Sequence, residues 1–232
     1  LKGLATVQVQ GLHHLQTDEP LLIVPNHFHF ADTATLIAAL PVHLEFLGGH
    51  RMPNVPQIVT FLPKIYGYYP VFRGTGSRMA IKAAQAVMRQ NGKLVIFPEG
   101  GNWATVLRPA RPGAAFIAAT SGVRLLPIGL DGITEVFSVF QTGKRAQLTV
   151  NIGEPFGPFK VTWRVKARRA QLDEIGNQMM QEIAKLLPPA RRGHFSDDPV
   201  IRAAAAGTEV YPWAELNEEE IMQQSELSWF SC

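Results

Sequence analysis

An α/β fold, with a mixed and largely parallel sheet flanked by helices, is the architecture this sequence predicts, on three observations. Short apolar runs such as Leu21 to Val24 and Leu94 to Phe97 alternate with stretches of helical period, the order expected of strands covered by helices on both faces. Both runs end in a proline, Pro25 and Pro98, which stops a strand and turns the chain. The chain has 232 residues, 46% hydrophobic and 18% charged, enough to bury one substantial core.

Ala5 to Leu12 alternates apolar and polar residues, as a half-buried strand does. Leu21 to Val24 is a fully apolar strand, followed by Asn26-His27. Asp32 opens a helix from Thr33 to Leu40 that Pro41 stops; an acidic residue there caps free amides and suits the helix dipole. Residues 41–70 are rich in Pro, Gly and aromatics and read as loops and short helices. Ser77 reads as the N-cap of a helix to about Gln90, with Gly92 past its end. Leu94 to Phe97 is a buried strand, Pro112 starts a helix through Thr120 closed by Gly122, and Leu125 to Leu130 and Gln147 to Ile152 are further strands. Val165 to Leu187 forms a long helix stopped by Pro188-Pro189.

Charge divides the chain. Residues 1–190 carry 19 Lys and Arg against 11 Asp and Glu, and residues 191–232 carry 3 against 8. Residues 1–190 are expected to form the folded domain, and 191–232 an acidic tail, helical or loosely ordered. A basic body suits a partner that carries phosphate. The single cysteine, Cys232, allows no internal disulfide. No apolar run is long enough to span a bilayer. The chain begins at Leu1, so an upstream anchor is a possible loss. No nucleic-acid-binding module is recognisable.

The chemistry-bearing residues gather after the apolar strands, where α/β sites form. His27 lies five positions before Asp32 across a strand-to-helix turn. An imidazole held by a carboxylate can take a proton from a hydroxyl. This is the base-and-orienter half of a serine triad, with the substrate's own hydroxyl in place of the serine. The spacing alone is a weak signal. Its companions in order give it weight: Val71-Phe72-Arg73, then Phe97-Pro98-Glu99-Gly100, then Pro127 among apolar residues.

At this order and spacing the four blocks resemble the glycerophospholipid acyltransferase family, whose bacterial type member is the 1-acylglycerol-3-phosphate acyltransferase. Asn26, His27 and Asp32 match its first block, Val71 to Arg73 its second, Phe97 to Gly100 its third and Pro127 its fourth, over roughly residues 5–187. The resemblance implies a glycerolipid acyltransferase-like fold and transfer of a fatty acyl group from acyl-CoA or acyl carrier protein to a lysolipid hydroxyl. His27 and Asp32 would be catalytic. Arg73, Glu99, Gly100 and Gly101 would bind the acceptor, with Asn26, Phe72, Pro98 and Pro127 in support. It implies no cofactor and no metal, and peripheral association with the cytoplasmic face of the membrane. Two departures stand out. His29 replaces a small polar residue, and Gly101-Asn102-Trp103 replaces Thr-Arg-Ser after Phe-Pro-Glu-Gly, which leaves the acceptor headgroup open.

Other features permit ligands without requiring them. Gly74 to Ser77 precedes a helix and could bind an anion or simply turn the chain. Arg164, Lys166, Arg168 and Arg169 crowd a helix start, where anionic lipid, coenzyme A phosphates or solvent could face them. The apolar and aromatic residues of 58–72 suit a core, an acyl tunnel or a bilayer contact. Two rival functions remain. One is a metal-dependent hydrolase using His27, His29 and Asp32. The other is a lipid-binding protein that keeps the fold without catalysis.

Overall fold

A computed structural model describes residues 5–49, 66, 68–71, 78–162 and 165–212. Among these residues a seven-stranded sheet runs in the order β1-β7-β6-β2-β5-β3-β4. The strands are β1 (Ala5–Gln10), β2 (Leu21–Pro25), β3 (Glu45–Gly49), β4 (Tyr68–Val71), β5 (Lys93–Ile96), β6 (Arg124–Asp131) and β7 (Ala146–Ile152). Neighbours pair in parallel except β6 with β7, so the sheet is mixed and largely parallel, as expected. The helices are α1 (Asp32–Ala39), α2 (Arg78–Arg89), α3 (Pro112–Ser121), α4 (Val136–Gln141), α5 (Val165–Lys185) and α6 (Pro199–Ala205).

The side-chain period of a strand sorts the core into two layers. Leu22, Val24, Leu94, Ile96 and Leu125 face α2, α3 and α5, where Ala84, Val87, Ala118, Met179 and Ile183 meet them. Leu21, Ile23, Val95, Leu126 and Ile128 face the other way, onto Leu36 and Leu40 of α1 and its flank and onto Leu44. Every residue of β2 and β5 is buried, which explains why the two strands read as unbroken apolar runs rather than alternating ones. β1, at the sheet edge, keeps its alternation.

Three expectations need correction. The segment 41–70, read as loops and short helices, contributes β3 and β4. β3 is short and ends in Gly48-Gly49, and β4 carries Pro70, so both lack the usual strand signals. Pro70 is tolerated because β4 is the last strand in the order, with one side unpaired among the described residues. β1 stops at Gln10, two residues early. Gly11, at φ 77°, turns the chain into a 3-10 turn, Leu12–Leu15, and a Cβ there would meet the Ile152 carbonyl oxygen at 2.1 Å. Finally, Asp32 does not cap α1. The N-cap is Ala31, with no side-chain cap bond, and the carboxylate is used elsewhere.

Part of the acidic tail is docked on the domain. Leu107 N–H donates to the Arg191 carbonyl at 2.9 Å and His194 N–H donates to the Leu107 carbonyl at 3.1 Å. Arg191 pairs with Asp131 at 3.2 Å and with Glu135. α6 follows, capped by the Asp198 carboxylate, which accepts from Val200 N–H at 2.8 Å. Residues 213–232 lie outside the described residues. No helix among the described residues is long and apolar enough to cross a membrane.

Candidate active site

β2 ends beside β6, and the chain leaves the sheet at Asn26. This side chain is fully buried and bonds the Leu130 backbone twice. Its Nδ2 donates to the Leu130 carbonyl at 2.9 Å, and its Oδ1 accepts from Leu130 N–H at 2.6 Å. Asn26 thereby takes the place of a peptide group in the β2–β6 ladder and anchors the loop that follows. An Asn26→Leu variant leaves two buried backbone groups unpaired. It should lose about 3 kcal/mol, at 1–3 kcal/mol per orphaned group, which urea unfolding will measure.

The next turn brings the catalytic candidates together. His27 Nδ1 lies 2.9 Å from Asp32 Oδ2. The same oxygen accepts the backbone N–H groups of Phe28 and His29, each at 2.8 Å. One buried carboxylate oxygen therefore shapes the loop and orients the ring. Because the other two donors are amides, the geometry favours Nδ1–H as the third, which leaves a lone pair on Nε2. Among the described residues Nε2 has no hydrogen-bond partner. The His27 ring stacks on Phe97 at a centroid distance of 4.0 Å, and its side chain is 15% exposed where that of Asp32 is 0%. The imidazole is fixed in place and keeps some exposure to solvent.

Glu99 was expected to bind the acceptor, and the structure turns it inward instead. Its side chain and that of Arg108 are 0% and 1% exposed. Oε1 accepts the His27 N–H at 2.7 Å, and Oε2 accepts from Arg108 Nε at 3.0 Å and from Arg108 N–H at 3.3 Å. With both oxygens engaged, Glu99 ties the third block to the first. Burial pushes its carboxyl up to about 7, against the pull of the Arg108 guanidinium and the two amides.

Gly100 has φ 74°, a conformation that favours glycine, and its N–H donates to the Phe97 carbonyl at 3.1 Å to close the turn. The Pro98 carbonyl accepts Arg111 N–H at 2.8 Å just ahead of α3. The Gly101 carbonyl accepts from Arg108 Nη2. Pro127 pairs with Val24 in β6, at the break between the Ile128–Ile152 pairing and the Leu125–Phe156 bridge, where a missing N–H costs no ladder bond. Phe72 and Arg73, the second block's residues, lie outside the described residues, as do Gly74 to Ser77, Arg164 and most of 58–72. The same holds for the Lys166 side chain. Arg168 and Arg169 are exposed on the first turns of α5.

His29, the unusual residue of the first block, accepts the Ala31 N–H on its Nδ1 at 3.2 Å. Burial holds its pKa below the usual value of 6.5, with Asp32 opposing and His27 adding to the shift. The folded protein therefore binds this proton less readily than the unfolded chain. Its neutral ring costs no stability above pH 6.5 and costs progressively more as pH falls below it. A His29→Asn variant keeps an acceptor for Ala31 and removes that titration. Its unfolding free energy should fall less steeply than that of the wild type between pH 6.5 and 5; parallel curves would refute this.

In the three residues a metal reading would use, one nitrogen of each histidine and one oxygen of the carboxylate are engaged within the protein. His27 Nδ1 and Asp32 Oδ2 face each other, Oδ2 also holds two amides, and His29 Nδ1 is occupied. Among the described residues no three His, Cys, Asp or Glu side chains are grouped to hold an ion.

A family model of acyltransferases matches residues 6–131, which contain β2 to β6, all of β1 but its first residue, and the whole His27–Asp32–Glu99 cluster, and the chain belongs to that family. It is 24% identical over 142 residues to the sheep (Ovis aries) 1-acyl-sn-glycerol-3-phosphate acyltransferase alpha, covering 56% of this chain and 47% of that protein. It is 27% identical over 139 residues to the chloroplastic 1-acyl-sn-glycerol-3-phosphate acyltransferase BAT2 of Brassica napus, covering 58% and 40%. The chain thus spans less than half the length of these curated relatives. Among solved structures, the 1-acyl-sn-glycerophosphate (LPA) acyltransferase PlsC of Thermotoga maritima has the same fold, with a TM-score of 0.50 and 18% identity over 75% of this chain and 70% of that one.

Arg108 was missed in the sequence. It sits alone after the uncharged stretch Gly100 to Leu107. A lone cation nine residues past Glu99, flanked by Leu107 and Pro109, was the available signal of a buried partner.

Proposed function

We propose that this chain transfers an acyl group from a thioester donor, acyl-CoA or acyl carrier protein, to a hydroxyl of a lysophospholipid, with His27 as general base. The observation that carries this reading is the 2.9 Å contact between His27 Nδ1 and the buried Asp32 carboxylate, on a ring that stays partly exposed. Nε2 takes the proton of the acceptor hydroxyl as its oxygen attacks the thioester carbonyl. The tetrahedral intermediate then collapses, the carbon–sulfur bond breaks, and the thiolate takes the proton back from the imidazolium. The products are an ester and a free thiol, and the histidine returns to its starting state. Asp32 holds the ring in the required tautomer and stabilises its charged form.

The acceptor named for the curated relatives, 1-acyl-sn-glycerol-3-phosphate, is the first candidate. Arg73 in the second block is the residue suited to its phosphate, since a guanidinium fork binds two oxygens. Gly100 and Gly101 would let backbone come close to the acceptor. The basic body supports work at an anionic surface, with peripheral binding to the cytoplasmic face of a membrane.

The test is to incubate the purified protein with labelled acyl-CoA or acyl carrier protein and a panel of lysophospholipids. The acylated product is identified by mass spectrometry and the thiol released is counted. Equal amounts of ester and thiol are expected with at least one acceptor. Lysolipid binding without any ester would favour the non-catalytic alternative, and thiol release without ester would mean a thioesterase.

A further inference from the structure

We propose that Arg108 is a positioning residue for His27, acting with Glu99 to hold the backbone of the catalytic histidine on both sides. This rests on the role of His27 as base. Glu99 Oε1 takes the His27 N–H at 2.7 Å. Arg108 reaches the His27 carbonyl with Nη2 at 3.4 Å, and the same nitrogen reaches the Gly101 carbonyl. Nε and the Arg108 N–H both hold Glu99 Oε2. One ion pair therefore grips the peptide groups before and after His27, while Asp32 grips the two amides that follow. The ring's direction is set from both ends of its residue.

Two simpler roles fit less well. An arginine that binds a substrate phosphate must offer its fork to the ligand. Arg108 is 1% exposed, its Nε and Nη2 are committed, and among the described residues only its Nη1, itself buried, lacks a partner. A purely stabilising role is also poorly served, because the desolvation of a buried ion pair offsets much of its attraction. What this pair supplies, and an apolar pair could not, is an acceptor and a donor for the two sides of His27.

The cover over Arg108 comes from the departure in the third block. The Trp103 ring lies 3.8 Å from the Arg108 guanidinium carbon, stacking that shields the ion pair from water. The docked C-terminal segment holds Trp103 in turn. Its Nε1 donates to the Thr208 carbonyl at 2.8 Å, and Tyr211 meets the ring edge-on at 5.3 Å. Arg111 Nη2 adds a bond to the Glu209 carbonyl at 3.0 Å.

Two measurements on wild type, Arg108→Met and Arg108→Lys test this. The first is steady-state acyl transfer, corrected for folded protein. Met should lower kcat roughly 100-fold, the scale of a misplacement near 1 Å, with both KM values within about threefold of wild type. Lys, which keeps the charge but not the fork, should fall between, recovering about 10-fold of that loss. An unchanged kcat in either variant, or a raised KM for the lysophospholipid at unchanged kcat, would overturn the proposal. The second is hydrogen exchange of the His27 amide against that of Ile23 in β2, which needs no activity. The amide should exchange faster in the variants by a larger factor than Ile23 does; equal factors would mean global destabilisation only and would overturn it. If the wild type transfers no acyl group, the acyl-transfer reading fails while the exchange data still decide whether Arg108 holds the loop. If the Met variant does not fold, the Lys variant carries both measurements.

Discussion

Replacing His27 by alanine is expected to lower acyl transfer by roughly 10³-fold, within the 10²–10⁴ range for loss of a positioned general base, while the fold survives. The ring's contributions are a stacking contact with Phe97 and one of the three bonds to Asp32 Oδ2. The other two bonds come from backbone amides and remain. The carboxylate keeps its loop, so unfolding free energy should change by no more than about 1 kcal/mol, the worth of one net hydrogen bond. Turnover measured alongside urea unfolding separates the two effects. A variant that turns over at the wild-type rate would remove the base from the mechanism. A variant that loses activity and stability together would make His27 a structural residue.

The part of this site that could be read from the sequence is the part built by local chain geometry. His27 and Asp32 are five residues apart on one turn, so their meeting needs only that turn to close, and motif order was enough to point to it. Glu99 was found as a residue but given the wrong direction. Nothing in Phe-Pro-Glu-Gly says whether its carboxylate faces an acceptor or the protein. The answer lies in Arg108, which is brought to it by a loop whose course depends on contacts with a segment some ninety residues further on. The same distance hid the role of the tail. His194, Thr208 and Tyr211 carry no periodic apolar pattern, and their value is in a backbone N–H presented to Leu107 and a backbone carbonyl and a ring edge presented to Trp103.

The fold divides in a similar way. Strands buried on both faces announced themselves as apolar runs, and β2, β5 and β6 lie where those runs predict. β3 and β4 did not, because glycines and a proline are poor strand formers in isolation. They are strands because β5 offers β3 a partner and β3 offers β4 one, a tertiary fact that local propensity does not contain. Asp32 shows the converse error. An acidic residue at a helix start is a good capping signal, yet here the competing use, three donors converging from residues 27–29, takes the carboxylate.

That competing use makes Asp32→Asn the sharper test. The asparagine carbonyl can occupy the place of Oδ2 and accept the same three donors, so the loop has no reason to move. Its NH₂ group then falls where Oδ1 lies, a buried atom with no hydrogen-bond partner among the described residues, at a cost of about 2 kcal/mol for an unsatisfied donor. The opposite rotamer would face the NH₂ with three N–H groups and is worse. On the proposed mechanism, what the variant loses is the negative charge that stabilises the imidazolium as the proton arrives. Turnover per folded molecule should fall by roughly 10²–10⁴-fold, with stability reduced but the protein folded at room temperature. The decisive comparison is the double variant His27→Ala, Asp32→Asn. If the carboxylate acts on catalysis only through the imidazole, the double variant is no slower than His27→Ala alone, because groups that work as a unit are not additive. A double variant slower by the full product of the two single effects would mean that Asp32 touches the reaction by some route other than His27, and the base-and-orienter assignment would have to be abandoned.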